Sequence, residues 1–469
     1  MKNGITSGIH RGYLRFVGWR RRRVPQGVTV MVMAAIIGTV SGIAAWILKW
    51  SIGGMCTFFV GYERGAGPYW YVFALPFIGI FLAVAYQRYV VHGSIEHGTE
   101  IVGKAIAEGR YKMRRGLCYE PIIASVLTLG FGGSAGAEGP VATVGSAVGS
   151  NLARLFGVSP DMVRMMIGCG AGAGIAGIFK APIGGMMYTL EVMKMKMTTL
   201  SVLALVVASL CGALTCYMLT GFSFDVRFLP SSFFDPLSLG WVALLGVFCG
   251  FYSIYYNKIT DILHRFFASV ANRWLRAAAG AAMVGLSLLL FPCMYGEGYG
   301  TVTLLMNGET MNFLRGGLLQ DAGVSAWAFI LLALAVTLVK VFATIGTNSA
   351  GGVAGDFAPT IFAGAFCGVA FAWAMNYLFH AGLSVGLFAL FGMAGAFSGI
   401  IHAPLMAVFL VAEMVGNGFG FILPLAVTAA VSYVTVKLFT PGSRYRSANH
   451  DDVAALKEMS DSETTQSTK

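Results

Sequence analysis

The sequence predicts an all-α, multi-pass membrane protein built from two homologous halves whose helices are partly broken. Three observations predict it: an apolar composition, glycines placed inside the apolar segments, and a motif that recurs at a fixed offset. Of 469 residues, 57% are hydrophobic and 11% charged, with a mean hydropathy of +0.73, whereas about a quarter of the residues of a soluble domain are charged. The 62 glycines cluster inside the apolar runs, where a simple single-pass helix would not favour them.

Taken in order, the apolar runs Val28–Trp50, Tyr71–Tyr86, Leu200–Met218, Leu237–Tyr255, Ala278–Met294, Ala326–Val341, Val385–Ala396 and Ile422–Phe439 read as membrane spans. Several are shorter than the roughly 20 residues a simple crossing needs, as expected of helices that do not cross completely. The net charge is +11, and its placement sets topology. Arg11, Arg15 and the run Arg20, Arg21, Arg22 and Arg23 precede the first span, so residues 1–27 read as a basic cytoplasmic N-terminus. Arginines beside a span are topology signals, and no nucleic-acid partner is expected. Lys104, Arg110, Lys112 and Arg114 mark a cytoplasmic loop, as do Lys194, Lys196, Lys258, Arg265, Arg273 and Arg276. Residues 221–236 read as an external connection. The eight cysteines lie in or beside apolar segments without a Cys-x-x-Cys pair, so neither disulfide, metal nor cofactor is expected. Residues 441–469 read as a short polar cytoplasmic tail without a folded regulatory domain. Both termini are then cytoplasmic, in a plasma (inner) membrane protein.

Gly136, Pro140, Gly145 and Gly149 recur as Gly355, Pro359, Gly364 and Gly368, and the hexapeptide Gly177–Pro182 recurs as Gly399–Pro404. Nine residues after each second-block proline stands a glutamate, Glu191 and Glu413. A constant offset across several positions points to two repeats, 28–220 and 237–440. Glu191 and Glu413 read as structural acids bonded to backbone or to a neighbouring helix, and Lys180 and His402 as loop residues between helices.

Within the first repeat, Glu138 is a carboxylate surrounded by Gly, Ala, Ser and Val, where a charge is costly and marks a functional site by default. Gly139-Pro140 fits the first turn of a helix from about Pro140 to Phe156. A helix start presents unpaired N–H groups and a positive dipole end, which suit a carboxylate or a small anion equally. A glutamate that merely caps the helix is the plainer alternative. Repeats in transporters are commonly inverted, with substrate held at the midplane by broken helices. The N–H groups near Glu138 and Gly139 would then meet those near Asp356 and Phe357, and partial charges would bind an anion loosely enough to release it.

Glu138 within Gly136–Pro140, the segment Gly355–Pro359, and the paired blocks Ala181–Met193 and Ala403–Met414 resemble the CLC family of chloride channels and chloride/proton antiporters, from about Val28 to Tyr445. The resemblance implies a homodimer with one pore per subunit, inverted halves and some seventeen or eighteen tilted helices in the lipid bilayer. It implies that Glu138 is the gating glutamate, framed by Gly136 and Gly139, and that the amides of Asp356 and Phe357 hold the central anion. Tyr445 is similar to the tyrosine that closes the inner side of that site; an interfacial aromatic anchor is its alternative.

The sequence also departs from that pattern. His97, flanked by Glu96 and Glu100, stands where the family usually has a serine ligand, and a pore-lining donor there would respond to pH; a histidine satisfied by backbone is the alternative. Ala137 replaces the usual arginine beside the gate. Val192 occupies the position of the inner glutamate that antiporters use as a proton station, and an isopropyl group cannot carry a proton. The last departure favours passive, gated flow of chloride or a similar anion over proton-coupled exchange of chloride or fluoride. An intramembrane hydrolase is the remote alternative, but the chain contains no Gly-x-Ser-Gly nucleophile motif.

Overall fold

The computed structural model describes residues 17–440 except 19, 21, 61–69, 96–97, 99–101, 104–110, 225, 229–233, 310–313, 315–316 and 320–324. His97, Glu96, Glu100 and Tyr445 lie outside the described residues.

Fifteen α-helices run through the described residues. In the first half they are α1 (Gln26–Val60), α2 (Leu75–Ala85), α3 (Glu120–Gly130), α4 (Glu138–Leu155), α5 (Pro160–Phe179), α6 (Pro182–Met187) and α7 (Thr199–Leu219). In the second half they are α8 (Leu239–Ser269), α9 (Arg273–Leu290), α10 (Tyr299–Met306), α11 (Ala326–Ser349), α12 (Phe357–Phe379), α13 (Val385–Ile401), α14 (Pro404–Met414) and α15 (Ile422–Phe439). The fold is all-α, with two inverted-topology repeats and no named strand among the described residues.

Nine helical segments are long and apolar enough to cross a membrane among the described residues. Each expected span falls on a helix, although α8 and α11 run well past the expected ends at Tyr255 and Val341. Two long helices, α5 and α12, were not expected as spans. Their most apolar windows are 83% and 89% buried, against 39–56% for the other seven. A helix sheathed by protein needs no lipid-facing apolar surface, so small residues serve it better than leucine. α5 accordingly holds Gly168, Gly170, Gly172, Gly174 and Gly177.

The repeated glycines mark where these inner helices touch. A Cβ on Gly145 would strike the carbonyl oxygen of Gly170, and one on Gly170 would strike that of Gly145. Gly364 and Gly392 stand in the same relation, and Gly149 and Gly368 face the carbonyls of Met166 and Phe388. Thus α4 on α5 and α12 on α13 form equivalent backbone-to-backbone contacts in the two halves.

The same symmetry governs the helix starts. Proline at the first turn of α6 and of α14 lacks the N–H that a helix start leaves unpaired anyway. The carboxylate of Glu413 accepts the next two, from Ile183 (3.0 Å) and Gly184 (2.8 Å). Glu191 reciprocally accepts from Leu405 (3.3 Å) and Met406 (2.7 Å). Each half therefore caps a helix of the other, the structural role read from the sequence. Glu413→Ala leaves two amides unpaired, and we expect it to cost about 1–3 kcal/mol, read as a lower midpoint of thermal unfolding in detergent, with Glu413→Gln losing less.

Lys180 and His402 lie between helices, as read from the sequence, and their left-handed backbone, with φ of 55° and 62°, ends α5 and α13. Lys180 donates from Nζ to the Ser223 carbonyl at 2.6 Å.

Candidate functional site

The two repeats meet at Gly136 and Gly355. Gly136 N–H donates to the Gly355 carbonyl at 2.9 Å, and Gly355 N–H returns to the Gly136 carbonyl at 2.6 Å. A reciprocal antiparallel pair between equivalent residues is what a local two-fold axis produces. Immediately after it each chain segment turns into a helix, α4 at Glu138 and α12 at Phe357. The first helix thus starts two residues before the expected Pro140, which puts Glu138 in the first turn itself.

The Glu138 side chain bends back across the junction. Its Oε1 accepts the backbone N–H of Phe357, the first residue of the opposing helix. A Cβ on Gly136 or on Gly355 would collide with the Glu138 carboxylate, so a larger residue at either position displaces that side chain from its present place. Gly139 packs on the same spot, where an added Cβ would lie 3.3 Å from the Gly355 Cα and 3.4 Å from the Gly98 Cα. Gly98, the described neighbour of His97, donates its N–H to Thr143 Oγ1 at 3.0 Å. Glu138 is buried, and its Oε2 has no hydrogen-bond partner among the described residues. A buried carboxylate needs compensation, which here comes from the ends of two helices. The arrangement can hold one small anionic group at a time, and the side chain of Glu138 is that group.

Rings form the wall beside it. Phe357 packs edge-on against Tyr188, with ring centroids 5.7 Å apart, and against Phe397 at 5.1 Å.

A cavity of about 1730 Å³ adjoins this junction. Glu138, Gly139, Asp356 and Phe357 line it, and so do Lys194, Lys196, Arg265 and Arg276. These four cations are among those that marked the expected cytoplasmic side, and they line one cavity. Such a basic vestibule concentrates anions. Val192, one helical turn after Tyr188, lines the same cavity.

Of the site residues read from the sequence, Gly136, Glu138, Gly139, Asp356 and Phe357 come together, and Val192 faces the route to them. The reading missed two charged residues that bond to the loop leading into α4. Lys340, on α11, is fully buried, donates from Nζ to Ser134 Oγ at 2.8 Å and lies 4.6 Å from the centre of the Phe362 ring. Ser134 Oγ in turn donates a hydrogen bond to the Met294 carbonyl at 2.6 Å. Glu297 accepts the N–H of Ala137 through Oε1 at 3.2 Å. These residues anchor the strand of backbone that carries Glu138. A lysine inside an apolar helix was itself a legible signal; Glu297, in a turn, offered none.

Residues 78–437 match the family described as voltage gated chloride channel. A relative from Ralstonia nicotianae, named as a ClcB-like chloride channel protein, is 28% identical over 446 residues, covering 91% of this chain and 99% of the relative. Among solved structures, a slow cyanobacterial Cl−/H+ antiporter matches with a TM-score of 0.74 at 22% identity, over 91% of this chain and 98% of its own. A CLC-type fluoride/proton antiporter matches with a TM-score of 0.70 at 21% identity, over 89% of this chain and 97% of its own. At these identities the structural likeness carries the fold.

Proposed function

The chain belongs to the voltage-gated chloride channel (CLC) family, and from that premise we propose that it carries chloride or a similar small anion across a membrane, with Glu138 as the gate, and that it is not an enzyme. The observation that supports this most is the bond from the Phe357 N–H to the Glu138 carboxylate at the meeting point of the two repeats. An anion arriving from the basic cavity competes with that carboxylate for the same amides. Protonating Glu138 removes the competing charge and frees the position. In this reading the anion is framed by Gly136, Gly139, Asp356 and Phe357, with His97 and Tyr445 as further ligands.

We favour passive flow, because Val192 stands at the position antiporters of the family use as a proton station, and an isopropyl group carries no proton. Proton-coupled exchange of chloride or fluoride is the second reading, favoured by one feature: carboxylate and anion exclude each other from a single buried position, so that proton uptake and anion entry become linked. The proposal extends to a homodimer in the plasma (inner) membrane with both termini cytoplasmic. It divides the chain into transmembrane repeats at 28–220 and 237–440 joined by an external connection at 221–236, with residues 1–27 and 441–469 cytoplasmic.

Chloride and proton fluxes measured together in proteoliposomes between about pH 4.5 and 7.5, a range spanning carboxylate and imidazole titration, test the proposal. Passive transport predicts chloride flux without uphill proton movement. A chloride gradient that drives protons uphill would replace it with exchange, and no anion flux at all would remove both.

A further inference from the structure

An aspartate at a helix N-cap ordinarily accepts the N–H of the second or third helical residue. Asp356, at the N-cap of α12, makes no such bond. Its Oδ1 instead accepts from Asn348 Nδ2 at 2.7 Å, and Asp356 lines the cavity together with Glu138 and Asn348. The helix start gives up a cap, and the cavity gains a carboxylate next to the backbone amide that holds Glu138.

Asn348 is the second observation. Its Oδ1 is buried and has no hydrogen-bond partner among the described residues. An ionised carboxylate needs a donor, and a protonated one needs an acceptor. An amide offers both from one position, exchanged by a half-turn of its plane. The Asp356–Asn348 pair is therefore satisfied with or without a proton on Asp356. The next residue, Ser349, also lines the cavity and has its Oγ 3.3 Å from His264 Nδ1, so polar groups continue outward along the same wall.

We propose that Asp356 is the residue that passes protons between the cavity and Glu138, the role that Val192 cannot fill. This rests on Glu138 being the gate. Asp356 gains a proton from cavity water at its carboxylate oxygen and gives it to the Glu138 carboxylate. Asp356 ends as the anion and Glu138 as the neutral acid, released from the Phe357 amide. Only O–H bonds form and break.

Charged and titratable groups surround the pair on several elements. α8 turns Asp261, His264 and Arg265 toward the cavity and α9 adds Arg276, with Lys194 and Lys196 across from them. Of the other elements packed on α12, α13 carries no titratable side chain, α10 carries Tyr299 alone, and α11 brings Asn348, Ser349 and the buried Lys340. Asp356 and Glu138 both line the cavity beside Gly139 and Phe357, and Glu297 is held on the Ala137 amide next to Glu138.

Right-side-out and inverted membrane vesicles of one expression host fix which face meets the bath, so that the pH on the cavity side can be varied alone. In the wild type, raising that pH from about 4.5 to about 7.5 lowers chloride flux by roughly tenfold or more, as expected when one carboxyl must be protonated. In Asp356→Asn, whose amide still bonds Asn348, the response to cavity-side pH falls below about twofold, while the response to pH on the opposite face stays. Asn348→Leu behaves in the same way, and Asp356→Glu recovers the response. A side-specific loss of this kind would not follow from a merely structural role. Wild-type flux that ignores cavity-side pH, or Asp356→Asn flux that follows it as the wild type does, overturns the relay alone. Wild-type vesicles without chloride flux overturn the gate reading together with it.

Discussion

Vesicles carrying Glu138→Gln will pass chloride at a rate that no longer depends on pH on either side, and at neutral pH that rate will exceed the wild-type rate. The carboxylate now holds the Phe357 amide through a charge-assisted bond, an interaction typically worth about 1.5–3 kcal/mol. A neutral amide side chain binds there more weakly, so anion occupancy of the position should rise about tenfold to a hundredfold. Paired flux traces of wild type and variant at about pH 7.5 and 4.5 check this. Equal pH dependence in the two proteins would remove Glu138 from the gate, whether the transport is passive or coupled.

A second large effect concerns assembly. Gly145→Val and Gly364→Val should each prevent the protein from reaching a folded, monodisperse state in detergent. At both sites the added Cβ meets a backbone carbonyl of the facing helix, Gly170 or Gly392, and a backbone cannot swing aside as a side chain can. Overpacking in a dense core costs about 1–3 kcal/mol, and here the two inner helices must part along their whole contact, so the loss belongs at or above the top of that range. Gly54→Ala, in α1 and with nothing within 4 Å of the new Cβ, is the matched control and should be neutral or slightly stabilising. Thermal unfolding followed by size-exclusion chromatography compares the three.

Much of this was legible in the sequence because the chain repeats itself. Gly136 and Gly355 were paired by spacing alone, and in the structure they bond to each other. Gly145 and Gly364 recur because both halves need a helix that another helix can touch with its backbone. Glu191 and Glu413 were legible as structural acids, since an acid ending an apolar helix must find donors, although it was not evident that each would find them in the opposite half. Helices α5 and α12 were passed over although both are apolar and long enough to cross a membrane, because the glycines that let them touch their neighbours interrupt the apolar runs. The turn of the Asp356 side chain away from its own helix was also illegible, because an N-cap aspartate looks the same in sequence whichever partner it takes. Only the placement of Asn348 by α11 decides it. Lys340 could have been noticed as a lone charge within Ala326–Ser349, but its partner Ser134 lies in the other half.

The central claim is that the Glu138 carboxylate sits in an anion's place. Crystals of Glu138→Gln protein grown in bromide test it most directly through anomalous scattering. The account predicts a bromide peak within hydrogen-bonding distance of the Phe357 N–H, between Gly136 and Gly355, where the carboxylate now lies. A junction without such a peak, in crystals of a variant that transports bromide in vesicles, would contradict it.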